Sequence, residues 1–133
     1  MKTRVRTTSK FIVEPENKVV VCNMSVDMQL FDSKLWNHID PAWWATKAPM
    51  VNDFGRFIVT AKARCNSDDT FDEATGKKIA ESRAKSKAFK TAKNVWDCIA
   101  KGFVENAKMA EVMTKNCAAV EEIEVNHVKK LSE

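Results

Sequence analysis

The sequence has few of the residues and motifs that mark nucleotide-hydrolysing enzymes and membrane segments. Glycine occurs only at Gly55, Gly76 and Gly102 among 133 residues, and neither a P-loop nor a G-x-G-x-x-G run is present. No apolar run approaches the roughly 18 residues of a transmembrane helix, and the N-terminal MKTRVRTTSK lacks the apolar core of a secretory signal. These absences argue against enzymatic turnover of a nucleotide and predict a cytoplasmic protein.

Metal ligands and nucleophile–base pairs are also scarce. The four cysteines are far apart, with no C-x-x-C pair and only two histidines to assist them, so their spacing does not fit a zinc site. Neither His38 nor His127 is close to Cys65 in the sequence, and a Cys-His nucleophile is therefore not expected. The sequence predicts four reduced, mostly buried thiols, and a protein that is not an enzyme.

Positive charge is concentrated in one part of the chain. The overall composition, with 44% hydrophobic and 30% charged residues, fits one soluble globular domain over residues 1–133. The formal net charge is only +4, yet eight lysines or arginines stand against Glu81 and Asp97 between Gly76 and Gly102. This local excess predicts an anionic partner.

The hydrophobic pattern of the first half predicts an antiparallel sheet over about residues 3–65. It begins with three alternating runs, over residues 3–8, 10–13 and 18–28. A turn containing Pro15 and Asn17 joins the second run to the third. Alternation directs one set of apolar side chains in the third run toward the core: Val20, Cys22, Met24, Val26 and Met28.

The strand predicted over residues 56–65 has the strictest alternation. Its expected core face consists of apolar side chains: Phe57, Val59, Ala61, Ala63 and Cys65. The opposite face carries Arg56, Lys62 and Arg64. We therefore expect three or four antiparallel strands with one covered face and one basic face.

An irregular, tryptophan-rich segment over residues 29–55 interrupts the sheet. One helical turn is expected around Leu35, capped by Asp32 or Ser33 and stopped by Pro41. Three of the four tryptophans lie in this segment. Two interpretations stay open, since these rings either cover an open end of the sheet or form a stacking wall or an oligomer contact.

Two helices are predicted to follow, over about residues 73–101 and 105–131. Thr70 and Glu73 have the spacing of a capping box, and Gly102 is expected to end the first helix. The predicted fold class is therefore α+β, an N-terminal antiparallel β-sheet followed by two C-terminal α-helices. The second helix is longer than one sheet face requires, which predicts a homo-oligomer formed through the C-terminal helices.

The acidic run before the first helix invites a metal-site interpretation. Asp68, Asp69 and Asp72 lack the glycine and the terminal glutamate of an EF-hand loop. Acidic residues are also common at helix N-termini, and either Asp69 or Asp72 is an alternative N-cap. We therefore expect structural acids, with no metal and no cofactor.

The junction between the last strand and the first helix carries the residues best suited to an anionic ligand. Arg83 offers a planar, bidentate donor set for phosphate. Asn66 both donates and accepts hydrogen bonds, which suits an adenine edge or a ribose hydroxyl. The structural alternative for Arg83 is a salt bridge to Asp69 or Asp72.

Other residues extend this candidate ligand site. On the strand, Arg56 offers a cation for a phosphate and Phe57 offers an aromatic ring for a base. Phe54 is the alternative ring. On the helix, Lys87 and Lys90 add charge, although both also fit an ordinary solvated helix face.

The run A-x-A-R-C-N-x-x-D-x-F-D-x-x-x-G-x-x-x-A-x-x-R-A, from Ala61 to Ala84, resembles a pattern of small phage-encoded proteins. The closer resemblance is to the phage Thoeris anti-defence sponges of the first type. A looser one is to the strand–loop–helix end of dsRNA-binding-like bacterial domains. The sponge family pairs an N-terminal antiparallel sheet with two C-terminal helices, which is the order predicted from this sequence.

The sponge resemblance implies a function. The protein would sequester a cyclic ADP-ribose isomer in the cytoplasm of an infected bacterium without cleaving it. Cyclic oligonucleotides are a second class of ligand that the resemblance allows. The family's ligand-binding asparagine and helix arginine correspond to Asn66 and Arg83, and its aromatic and N-terminal basic positions to Phe57 and to Lys2 or Arg4. The alternative is a small nucleic-acid-binding phage protein that uses the basic helix face.

Overall fold

A computed structural model describes residues 1–66 and 68–133 of the chain. The chain forms two compact units, Met1–Ile99 and Ala100–Glu133. The first unit holds a three-stranded sheet and the beginning of a long helix, and the second unit holds the rest of that helix. The α+β class is therefore confirmed. None of the described helices combines the length and apolar character that crossing a bilayer requires.

The sheet is antiparallel, with strands β1 (Arg6–Glu14), β2 (Val19–Asp27) and β3 (Arg56–Arg64) in that spatial order. The two short runs predicted at its start form the single strand β1. A turn at Pro15 joins β1 to β2, where Lys18 N–H donates to the Pro15 carbonyl at 3.2 Å and Lys18 has a φ of 52°.

The core side of the sheet follows the predicted alternation. Five apolar side chains of β2 and the residues after it are at most 2% exposed: Val20, Cys22, Met24, Val26 and Met28. On β3, Phe57, Ala61 and Ala63 are buried, whereas the alternate residues Arg56, Lys62 and Arg64 are exposed. The prediction of one covered face and one basic face is confirmed.

A single helix, α2, runs from Glu73 to Ser132, so the prediction of two helices separated at Gly102 is wrong. A glycine inside a helix costs about 1 kcal/mol relative to alanine, which is too little to end a helix whose flanking residues all favour it. Gly102 stays in the helical conformation and no proline follows it. The first part of α2 buries small side chains at helical spacing: Ala80, Ala84, Ala88, Ala92 and Val95.

The tryptophan-rich segment consists of short turns. It contains two 3₁₀ turns, Leu30–Asp32 and Trp36–His38, and a four-residue helix, α1 (Ala42–Ala45), which begins directly after Pro41. Trp44 is 1% exposed, so its ring is part of the core and is not available as a stacking surface. The Trp36 ring instead contacts Phe31, with centroids 4.2 Å apart.

Candidate functional site

Asp72 occupies the N-cap position of α2. Its Oδ1 accepts from the backbone N–H of Ala74 at 3.1 Å, and the Thr75 hydroxyl donates to its Oδ2 at 2.7 Å. The bond from the Thr75 side chain is the main reason that the pKa of Asp72 lies below its ordinary value of 3.8. The alternative N-cap predicted from the sequence is confirmed, and this carboxylate stabilises the helix start.

Arg83 and Lys87 contact the edge of β3. Arg83 Nη1 donates to the carbonyl of Lys62 at 2.8 Å, and Lys87 Nζ donates to the carbonyl of Thr60 at 2.8 Å. Both carbonyls belong to an edge strand, whose outer backbone groups need partners. Arg83 therefore joins helix to strand through a carbonyl, whereas the sequence favoured a phosphate or a loop carboxylate as its partner. Lys90 is exposed on α2.

Asn66 is exposed just beyond β3, and its carbonyl accepts from the N–H of Asp69 at 3.1 Å. A cavity of about 210 Å³ lies at this junction, but neither Asn66 nor Arg83 lines it. Its charged lining consists of Arg64, Asp69 and Asp72. Because carboxylates outnumber the cation, this cavity does not suit an anion.

Arg56 lies in a second cavity, of about 670 Å³, together with Phe57. The Arg56 guanidinium is 3.5 Å from the Asp27 carboxylate and 5.7 Å from the centre of the Phe31 ring. Phe57 itself is only 5% exposed, so its ring belongs to the core and is not available to stack on a ligand. The exposed rings near Arg56 are Phe31 and Phe54.

A third cavity, which has a marked excess of positive charge, contains Arg4 and is called the cationic cavity here. It has a volume of about 550 Å³ and combines three cations, two aromatic rings and several small or polar residues: Lys2, Thr3, Arg4, Val5, Met28, Gln29, Ser33, Phe89, Ala92, Lys93 and Trp96. This described lining includes no carboxylate. A volume of several hundred Å³ with an apolar wall and a few polar groups is typical of small-molecule sites.

Two residues that line this cavity have an unusual backbone conformation. Arg4 has a φ of 58° and Gln29 a φ of 51°, in the left-handed region that residues other than glycine rarely adopt. Arg4 Nη1 donates to the carbonyl of Asp32 at 3.2 Å, which fixes one side of the guanidinium. Such conformations are concentrated at functional sites, since the surrounding structure has to offset their cost.

The family resemblance implied Lys2 or Arg4, but the sequence analysis missed their neighbours on α2. Phe89, Lys93 and Trp96 are spaced at i, i+4 and i+7, so they lie on one face of the helix. That spacing is visible in the sequence. The cavity could not be predicted from it, because Arg4 and the residues after β2 reach this face only through the tertiary fold.

Metal and thiol chemistry find little support in this structure. In the described ranges, no group of three or more His, Cys, Asp or Glu side chains could hold a metal ion. All four cysteines are free, with Cys22 and Cys98 buried, Cys65 half-buried and Cys117 exposed. The prediction of mostly buried thiols is thus correct for two of the four.

The lining of the cationic cavity is chemically suited to an anion that also carries a planar ring. Lys and Arg neutralise phosphate, while Phe and Trp offer flat apolar faces to a base.

Comparison of the whole chain with known protein families, curated proteins and solved structures finds no match.

Proposed function

We propose that this protein is a non-enzymatic binder of a small cyclic nucleotide, held in the cavity beside Arg4. The observation that carries the proposal is the lining of this cavity, in which Lys2, Arg4 and Lys93 surround the rings of Phe89 and Trp96. Cyclic ADP-ribose isomers and cyclic oligonucleotides combine phosphates with bases, which matches cations beside aromatic rings.

The same lining supports binding without turnover. Its described side chains include the hydroxyls of Thr3 and Ser33 but no imidazole, thiol or carboxylate that could serve as a general base. A ligand in this cavity would be held and not cleaved. Sequestration of a signal requires only that the ligand is bound.

The biological role follows from the resemblance of the Ala61–Ala84 run to the phage Thoeris anti-defence sponges. In that role the protein lowers the free concentration of a cyclic nucleotide immune signal in the cytoplasm of an infected bacterium. The ligand contacts, however, differ from those that the resemblance implies. Arg4 replaces the Asn66–Arg83 pair as the proposed centre of the site, because Arg4 lines a cavity with an excess of cations, whereas neither Asn66 nor Arg83 lines the cavity at the strand–helix junction.

Isothermal titration with cyclic ADP-ribose isomers and cyclic oligonucleotides tests the function. A charge-assisted hydrogen bond contributes about 1.5–3 kcal/mol, so Arg4→Ala and Lys93→Ala should each weaken binding by about 10- to 100-fold. Lys10→Ala is the matched control, since Lys10 is an exposed cation of β1 that does not line the cavity. If wild-type protein gives no binding heat with any of these compounds, the proposed function is wrong.

Arg83→Ala distinguishes the two locations of the site. Binding in the Arg4 cavity predicts that Arg83→Ala changes affinity by less than about threefold, a free-energy change of about 0.6 kcal/mol, provided that circular dichroism shows an intact fold. Loss of binding in Arg83→Ala with normal affinity in Arg4→Ala would move the site to the strand–helix junction.

A second candidate function, nucleic-acid binding, is favoured by the exposed basic face of the sheet. Arg56, Lys62 and Arg64 alternate along β3 and are all exposed. This function predicts a gel shift with RNA or DNA that weakens steeply as salt rises, because each neutralised phosphate releases counterions. A shift that is insensitive to salt would contradict this candidate.

A further inference from the structure

From residue 104 onward, the second unit of the protein is a helix whose apolar side chains are all exposed. Every residue from 104 to 133 is exposed. From Met109 to Leu131 along α2, eight large apolar side chains are between 49% and 75% exposed: Met109, Val112, Met113, Val120, Ile123, Val125, Val128 and Leu131. All except Val125 belong to one face, which we call the apolar stripe, and Cys117 lies on the same face.

Such a helix needs a partner to cover it. In proteins most helical stability comes from packing of an amphipathic face, and propensity alone makes a small contribution. The stripe from Met109 to Leu131 extends for about 33 Å at 1.5 Å per residue. A stripe of this length is long enough for a two-helix interface.

The stripe repeats every 11 residues. Met109, Val120 and Leu131 are separated by 11 positions each, as are Val112 and Ile123. An 11-residue repeat corresponds to about 3.67 residues per turn, which keeps a seam straight or winds it slightly to the right. A left-handed coil with heptad periodicity is therefore not expected for this segment.

The stripe is also symmetric about Val120. Three apolar pairs lie at equal distances on either side of this residue: Cys117 with Ile123, Val112 with Val128, and Met109 with Leu131. In an antiparallel pair of identical helices related by a two-fold axis, residue i faces the residue at the mirrored position. A pairing centred on Val120 therefore puts apolar side chains opposite apolar side chains at these positions, whereas Met113 is mirrored by His127.

One pair of polar positions within the stripe favours the same direction. Glu124 lies between Val120 and Val128 on this face, and its mirrored position is Asn116. Antiparallel pairing thus sets a carboxylate opposite an amide that can donate to it. Parallel pairing in register would instead set two Glu124 carboxylates opposite each other beside an apolar seam, which is unfavourable.

We propose that two copies of this chain pair antiparallel through residues 109–131, with the two-fold axis at Val120. The partner of the stripe is a second copy because the symmetry of the apolar positions belongs to one sequence. The proposal concerns only the second unit and does not depend on the ligand-binding function. The length of the C-terminal helix predicted a homo-oligomer. This proposal defines the direction and the register in which its helices pair.

Light scattering on the full chain after size exclusion tests the pairing. Wild-type protein should have the mass of a dimer, and Val120→Glu should have the mass of a monomer, because two buried glutamates would meet at the axis. Val125→Glu is the matched control, since Val125 lies about 140° around the helix from Val120 at 3.6 residues per turn. It should remain a dimer. A monomeric wild type, or equal dissociation of both variants, would overturn the proposal.

Disulfide formation between mixed chains tests the direction. In a Cys117→Ser background, chains with Met109→Cys should cross-link to chains with Leu131→Cys when the two are mixed and oxidised. Each chain alone should form few links. Efficient links between two Met109→Cys chains would demonstrate parallel pairing and contradict the two-fold axis at Val120.

Discussion

At the scale of single residues, the start of α2 depends on one carboxylate. Asp72 is exposed and accepts from the Thr75 hydroxyl, from the Thr75 N–H at 3.4 Å and from the Ala74 N–H. These donors favour the ionised form, which is why the pKa of Asp72 is lowered. Ionised Asp72 also lies at the positive end of the helix dipole.

We expect Asp72→Ala to destabilise the protein more at neutral pH than in acid. A carboxyl whose folded-state pKa is depressed adds stability above its unfolded pKa, near 3.8, and loses it as pH falls through the folded value. Urea unfolding at pH 7 and at pH 3 would measure the difference. Asp68→Ala serves as the control, and an equal loss of stability at both pH values would show that ionisation of Asp72 is unimportant.

At the scale of elements, the beginning of α2 packs directly on β2. A Cβ atom added at Gly76 would lie 2.8 Å from Val20 Cγ2. Val20 is fully buried and is stiff at χ1 because it is β-branched. The contact therefore has little room for adjustment, and glycine is needed here for close approach despite its low helix propensity.

Gly76→Ala should consequently destabilise the protein by about 1–3 kcal/mol, as overpacking of a core does, although alanine favours helix by about 1 kcal/mol. Gly76→Ala should cost less stability in a Val20→Ala background than in the wild type, since the clashing methyl group of Val20 is gone. Chemical denaturation of the four proteins completes a double-mutant cycle. Additive effects would mean that the two residues do not interact.

Local patterns predicted the elements of this protein better than their connections. The alternation in β2 and the alanine spacing of α2 are visible in the sequence because burial repeats with the period of each element. The end predicted at Gly102 was wrong, since the cost of one glycine is smaller than the helix preference of its neighbours. The cationic cavity needed tertiary structure, because Arg4 and Trp96 are far apart in the chain.

At the scale of the whole molecule, the two units differ in what stabilises them. Met1–Ile99 contains all the buried hydrophobic side chains among the described residues. Ala100–Glu133 is helical without a core of its own. All four tryptophans, Trp36, Trp43, Trp44 and Trp96, belong to the first unit. Tryptophan fluorescence therefore reports the unfolding of the first unit alone, whereas helical circular dichroism reports both.

Thermal unfolding followed by these two probes should depend differently on protein concentration. Antiparallel pairing stabilises the helix of the second unit by mass action, so the midpoint seen by circular dichroism at 222 nm should rise with concentration. The fluorescence midpoint should change less, because the core of the first unit forms within one chain. Val120→Glu should abolish the concentration dependence and Val125→Glu should keep it. If wild-type midpoints coincide and stay constant from micromolar to hundreds of micromolar, the second unit is stabilised without a second copy.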